Sequence, residues 1–289
     1  MIPKKEIIGG VDESGRGPLF GPVVSCCVVF NDKIDITGIN DSKKISERKR
    51  IQIYNKLIHS NIDFGVGIIN EDEIDEINIL KATKKSMLLA INELKKKPTK
   101  LLIDGNQLLK TKIRQDAIVK GDEKIPEISA ASIIAKVTRD KIIKSYSKIY
   151  PIFELNSHKG YGTKKHIQLL ETHGATSIHR KSFSPVKKVS QKKFNKFESK
   201  KITQLALAMI KMGTNIDEFS IGEDLSFFKF FDNGIDNYLI SVKEKQSHSL
   251  IKSFIKKNKE KDSSIKVRLN VIYSDDINSE NLIKESLLI

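Results

Sequence analysis

Asp12 and Glu13 stand side by side just ahead of Gly15-Arg16-Gly17 in the run VDESGRGPLFGPVV, residues 11–24. Adjacent carboxylates repel, so each makes ionisation of the other costlier. A hard divalent cation such as Mg2+ or Mn2+ removes that cost, because it prefers carboxylate oxygen and water. A solvated turn is the bland alternative for an arbitrary Asp-Glu pair. The glycines weigh against it here, since they let a backbone with bare N–H groups approach a ligand closely. Pro18 and Pro22 stiffen the chain on the C-terminal side of those glycines. Asp104 ends the short apolar run KLLID with Gly105 behind it, and Asp122 precedes a stretch rich in small residues, ISAASIIAK. Taken alone, Asp104 reads as a turn, and a small-residue helix face is more often core than site. Asp140, about three turns further along that helix, reads as a surface or salt-bridging residue.

A second group could bind a polyanion. In SHKGYGTKKH, residues 157–166, Gly160 and Gly162 bracket Tyr161. An aromatic held between glycines is exposed and can stack on a sugar or base. Lys159, Lys164 and Lys165 sit where phosphate would meet a helix N-terminus. Arg180, Lys181 and Ser182 in HRKSF, and Lys43 and Lys44 after Asp41-Ser42, are further phosphate candidates. The six histidines are scattered without metal-ligand spacing, so no zinc site is expected. No phosphate-cradling G-x-x-x-x-G-K-[ST] loop occurs, so ATP hydrolysis is unsupported.

The elements that position these residues are set by the apolar patterning. Strands are expected at 7–12, 22–30, 64–70, 100–104 and 116–120. Helices are expected after Ser46, over 81–97 ending at Pro98, over 128–146, and from a Thr163 cap to Gly174. Three strands and then alternating helices and strands predict an α/β fold with a mixed sheet flanked by helices. Residues 191–201 read as a linker after a catalytic part spanning 1–190. Residues 202–289 read as a small appended α/β domain, with a helix near 202–212, a strand near 237–242, a helix near 247–258 and a strand near 265–273. Its YLISVKEK segment resembles a restriction-endonuclease pattern only in part. Ser241 stands where an acid would be needed, so no catalytic role is assigned there.

The bulk composition agrees with a nucleic-acid partner. The chain has 289 residues and a formal net charge of +15. Lysine and arginine gain by displacing counterions from phosphate, although a lysine-rich background composition would give the same excess. The excess lies mostly in the first two-thirds, and the near-balanced tail favours a protein contact. Cys26 and Cys27 lie in an apolar run, which suits buried thiols in a reducing compartment. No signal pattern or uncharged span of ~18 residues is present, so the expectation is a cytoplasmic protein with no membrane segment.

Taken together, the motifs resemble ribonuclease HII, the prokaryotic type 2 ribonuclease H family, over roughly residues 6–187. DESGRGPLFGPVV, DSKKIS, IDGN, KGDEKIPEISAASIIAKVTRD and HKGYGT…HRKSFSPV resemble that family's blocks in the family's order. The resemblance implies an RNase H-like fold and a four-carboxylate site in which Asp12, Glu13, Asp104 and Asp122 bind two Mn2+ or Mg2+ ions. It implies that Gly15, Arg16 and Gly17 read a ribose 2′-hydroxyl through their backbone, and that Tyr161 stacks on the deoxyribose 3′ of the ribonucleotide. Lys43, Arg180 and Ser182 are then substrate contacts. The implied substrates are RNA/DNA hybrids and duplex DNA carrying single ribonucleotides. Ser14 and Phe20 depart from the family's usual small residues. DESG resembles the sister ribonuclease HIII, but the Arg16-Gly17-Pro18 context fits HII better. The competing readings are a non-catalytic hybrid-binding protein, a ribonuclease HIII-like enzyme, or another RNase H-fold nuclease such as a resolvase.

Overall fold

β1 (Ile8–Ser14) is buried from Gly9 to Asp12, and β2 (Val23–Phe30), a run of small, β-branched and apolar residues, is buried almost throughout. β3 (Ile62–Ile69) alternates half-buried and buried positions, as a strand with one covered face does. With β4 (Lys100–Asp104) and β5 (Arg114–Ile118) they form a five-stranded sheet in the order β3-β2-β1-β4-β5. β1, β2 and β3 pair antiparallel, while β4 runs parallel to β1 and β5 parallel to β4. This is the mixed sheet that the patterning predicts. The computed structural model describes residues 6–31, 45–189, 194–222, 224–232, 235–242, 250–251, 253–254, 256, 266–273 and 285–288.

Helices join and flank these strands. α1 (Glu47–Ile58) begins where Ser46 Oγ accepts from the Lys49 N–H at 3.3 Å. α2 (Glu71–Ile77) is not among the expected helices, because five acids in EDEIDEI obscure its two isoleucines, three residues apart. Asn78, at φ +71°, separates it from α3 (Ile79–Glu93) and caps α3, its Oδ1 accepting from the Leu80 and Lys81 N–H groups. α3 ends before the predicted stop at Pro98, where Leu94 turns extended. α4 (Pro126–Ile149) is longer than expected at both ends. α5 (Leu155–His158), α6 (Lys164–His173) and α7 (Ser184–Lys187) come next. Thr163 Oγ1 caps α6 by accepting from His166 N–H at 3.2 Å, and Gly174 stops it at φ +84°. One core of this region joins Val11, Cys27, Met87, Ile91, Leu101 and Ile103.

Beyond residue 193 the chain is again regular. It forms α8 (Asn195–Glu198), α9 (Lys201–Lys211), β6 (Ile216–Ile221), β7 (Leu225–Asp232), β8 (Ile235–Val242), β9 (Lys266–Tyr273) and β10 (Glu285–Leu288). The strands form a second sheet in sequential order, in which only β8 and β9 pair parallel. Its core gathers Tyr238, Ile240, Val242, Ile251, Leu269 and Val271. The expected helix near 247–258 is present at those of its residues that are described. β6, β7 and β10 are additional to the expected strands: β6 carries Asp217 and Glu218, and β10 is only four residues long.

The stretch from Phe194 to Lys201 is packed rather than an open connector. Phe194 and Phe197 lie edge-on to Tyr150 at 5.9 and 5.8 Å between ring centroids. Tyr150 Oη donates to Glu198 Oε1 at 2.5 Å, and Ser177 N–H donates to the same oxygen at 2.9 Å. The chain divides into two compact units. One holds residues up to 141 with 159–167 and 178–189, and the other holds 142–158, 168–177 and 190–289. Among the described residues, no helix is long and apolar enough to cross a membrane.

Candidate active site

The parallel pairing of β1 with β4 sets the site. Val11 faces Ile103 in register, so the next residue on each strand, Asp12 and Asp104, leaves the same edge of the sheet. Asp12 is 5 % exposed, and its carboxyl lies well above the usual carboxylate range. Burial is the main cause, then the charges of Glu13 and Asp104, while a hydrogen bond from Ser132 opposes the rise. Glu13 also ion-pairs with Arg16 at 3.4 Å. Asp104 Oδ1 accepts from Gly121 N–H at 2.7 Å and from Asp122 N–H at 3.4 Å. Asp122 is therefore brought beside Asp104 by a short turn after β5, begun by Lys120 in a left-handed conformation at φ +56°. Ser129 Oγ donates to the Asp122 carbonyl and ties that turn to α4.

Asp12, Glu13 and Asp104 line one depression of about 400 Å³. Gly15, Arg16, Gly17 and Tyr161 line it too, so the acids and the expected sugar readers border one depression. A Cβ built on Gly17 would sit 3.5 Å from the Tyr161 ring, which is itself 44 % exposed. Gly15 has φ +98°, and a Cβ there would lie 2.1 Å from Arg139 Nε. Only glycine meets both demands. The Tyr161 carbonyl accepts from His166 Nδ1 at 2.9 Å, and His166 Nε2 lies 3.3 Å from His179 Nε2.

The donor chemistry suits a hard divalent cation, since the converging groups are carboxylates, and after burial the charges of Glu13 and Asp104 add to the cost of ionising Asp12. The set is not closed in geometry. Among the described residues, no three acidic, histidine or cysteine side chains stand close enough to hold one cation.

Three expected substrate contacts fare differently. Arg180 is fully buried and does not face the depression as a phosphate contact. Its Nε donates to Gly21 O at 2.9 Å, Nη1 to Arg16 O at 3.0 Å and Nη2 to Gly15 O at 2.6 Å. Burial, and next the charge of Arg139, pull its pKa down to about 9 against the opposing Glu71 and Asp75. Ser182 is bound to α2, its N–H and Oγ both donating to Asp75 Oδ1 at 2.8 and 2.6 Å. Lys43 lies outside the described residues.

Arg50, absent from the sequence reading, lines the depression, and so do the first two of three further such residues on α4, Ser132, Lys136 and Arg139. Their spacing of four and then three residues puts them on one face of α4. That polar stripe in an Ala/Ile-rich helix is the signal that could have found them. Asp140 is salt-bridged to Lys136 at 2.7 Å, as expected.

The family description that matches this chain is Ribonuclease HII, over residues 9–186. The chain belongs to the ribonuclease HII family. It is 53 % identical over 176 residues to ribonuclease HII of Clostridioides difficile strain 630, covering 61 % of this chain and 69 % of that one. It is 51 % identical over 185 residues to ribonuclease HII of Bacillus mycoides strain KBAB4, covering 64 % and 72 %. The crystal structure of ribonuclease H2 from Pyrococcus horikoshii OT3 superposes with a TM-score of 0.54 at 31 % identity, over 63 % of this chain and 96 % of that one. RNase HII in the PCNA:RNase HII complex from Archaeoglobus fulgidus also gives 0.54, at 25 % identity, over 62 % and 95 %. The first sheet and its helices thus have the RNase H-like fold of this family. Its members are endonucleases that hydrolyse RNA in RNA/DNA hybrids, and this chain is a ribonuclease H. Residues 187–289 lie outside the family match.

Proposed function

We propose that this ribonuclease H also incises 5′ of single ribonucleotides embedded in duplex DNA, uses Mg2+ or Mn2+, and leaves a 3′-hydroxyl and a 5′-phosphate. The observation that carries the reading is the depression in which Asp12, Glu13 and Asp104 meet Gly15–Gly17 and Tyr161. Asp12, Glu13, Asp104 and Asp122 would hold the cations. When bound, such ions supply Lewis acidity that activates water and stabilises the leaving oxygen. The chain's own residues choose where that chemistry falls. The backbone of Gly15, Arg16 and Gly17 reads the 2′-hydroxyl, which alone separates ribose from deoxyribose at the cut. Tyr161, exposed beside Gly17, stacks on the sugar to the 3′ side. Lys43 contacts phosphate.

Residues 1–190 form the catalytic part in this reading, and 202–289 offer a protein contact. The Archaeoglobus fulgidus relative was solved in complex with PCNA, which supports a protein partner for the family. Two free, buried cysteines suit a reducing cytoplasm.

The test offers the full-length protein a DNA duplex with one ribonucleotide, in Mg2+, in Mn2+ and in chelator. The expected product is a nick 5′ of the ribonucleotide in either metal, and none in chelator or in an all-DNA duplex. Equal cutting of the all-DNA duplex would refute ribose reading. In the same assay Tyr161→Ala should slow incision by about tenfold, since base or sugar stacking is worth roughly 1–3 kcal/mol. A rate equal to wild type removes the stacking role.

A further inference from the structure

Two arginines are completely buried next to the depression, and neither lies in it. Arg139 Nε donates to Pro22 O at 3.0 Å, Nη2 to Phe20 O at 3.0 Å and Nη1 to Lys159 O at 3.1 Å. Arg180 donates to the carbonyls of Gly15, Arg16 and Gly21. Five of the six accepting carbonyls therefore belong to the segment from Gly15 to Pro22. The sixth, Lys159, sits two residues before Tyr161.

We propose that Arg139 and Arg180 are positioning residues, a paired guanidinium clamp that shapes the ribose-reading loop and so determines its selectivity; this rests on the junction reading above. The peptide plane carries the argument. No cis peptide occurs among the described residues, so each carbonyl points opposite to the N–H of the next residue. Holding the carbonyls of Gly15 and Arg16 on Arg180 aims the N–H groups of Arg16 and Gly17 away from the clamp. Those are the backbone groups assigned to the sugar.

The energetics point the same way. Burying two guanidinium groups together is costly, and well-packed apolar side chains would fill the space more cheaply. Apolar side chains cannot supply directed donors to six carbonyls of irregular backbone. Arginine can, because its five N–H groups form a rigid planar fork. Lys159 is the matching detail on the other loop: it holds φ +49°, unusual for a residue with a side chain, and its carbonyl is bound by Arg139. Gly15 packs directly on Arg139, so the loop and the clamp fit only together.

Arg139→Lys and Arg180→Lys test the clamp, because lysine keeps the charge and loses the fork. Each variant is assayed on the one-ribonucleotide duplex for kcat and KM, for affinity to the same duplex in chelator, and by thermal melting. The expected result is a kcat lower by about tenfold or more, as for small misplacements of a reacting group. KM and affinity should stay within about twofold, and melting should remain cooperative above the assay temperature. Wild-type kcat in both variants overturns the clamp. Loss of cooperative melting in both does so as well, because the arginines would then hold only the core. A wild-type protein that cuts a continuous hybrid but not this duplex defeats the junction reading, and the clamp's selectivity falls with it.

Discussion

Asp12→Asn is expected to slow hydrolysis by about 10³-fold or more while hybrid binding survives. Loss of a ligand to a catalytic cation removes several kcal/mol of transition-state stabilisation, and about 1.4 kcal/mol is worth tenfold in rate. Binding should survive because Asp12 is almost fully buried at the strand edge and carries a charge of the same sign as phosphate. Single-turnover cleavage and fluorescence anisotropy in chelator separate the two effects. A variant that cuts at the wild-type rate would remove Asp12 from the site. The same substitution has a signature in stability. The folded carboxyl of Asp12 is raised by burial, Glu13 and Asp104. Stability from its neutral form is therefore fully present below the unfolded value of about 3.9, and is lost as pH rises through the folded value. Asparagine does not ionise, so in chelator at neutral pH the variant should melt at or above wild type. Added Mn2+ should stabilise wild type more than the variant. A lower melting temperature for the variant in chelator would contradict the repulsion argument.

Gly10→Ala is expected to destabilise the protein by about 3 kcal/mol, at the upper end for overpacking a core. A Cβ on Gly10 would lie 2.2 Å from the Glu127 carbonyl carbon and 2.4 Å from the Ile128 nitrogen. Both are backbone atoms at the start of α4, so no side-chain rotation relieves the clash. The helix must move, and with it Ser132, whose hydroxyl bonds Asp12. Urea denaturation measures the loss. Gly105→Ala is the control, because a Cβ there meets nothing within 4 Å and only the left-handed backbone at φ +91° resists it. Its cost should be about 1–2 kcal/mol. A Gly10→Ala midpoint equal to wild type would show that α4 does not rest on β1 as tightly as the backbone contact requires.

The strands of the first sheet were legible because their apolar runs are dense and bounded by glycine or acid. β1, β2 and β4 lie within a residue or two of expectation. α2 was hidden because its apolar residues are two isoleucines among five acids, of which Ile74 and the acid Glu71 are the buried positions, and its acids do tertiary work. Asp75 binds Lys181 and Ser182, which lie 106 and 107 residues away. β6 and β7 were hidden because strand patterning in a small sheet is diluted by charge, as with Asp217, Glu218 and Lys229.

By itself the sequence displayed the residues of the candidate site, namely the acids Asp12, Glu13, Asp104 and Asp122, the glycines around Arg16 and Tyr161 between glycines, together with a family identity carried by ordered motifs. Side-chain type and close spacing are local properties, so a single chain displays them. Tertiary structure alone decided which charges line the depression and which are buried against backbone. Arg180 has the composition of a phosphate contact, yet it is buried with its donors on the carbonyls of Gly15, Arg16 and Gly21, some 160 residues earlier in the chain. Arg139 reaches back to Phe20 and Pro22 in the same way. A charge's role depends on whether water or backbone surrounds it, and that is set by contacts between residues far apart in the chain.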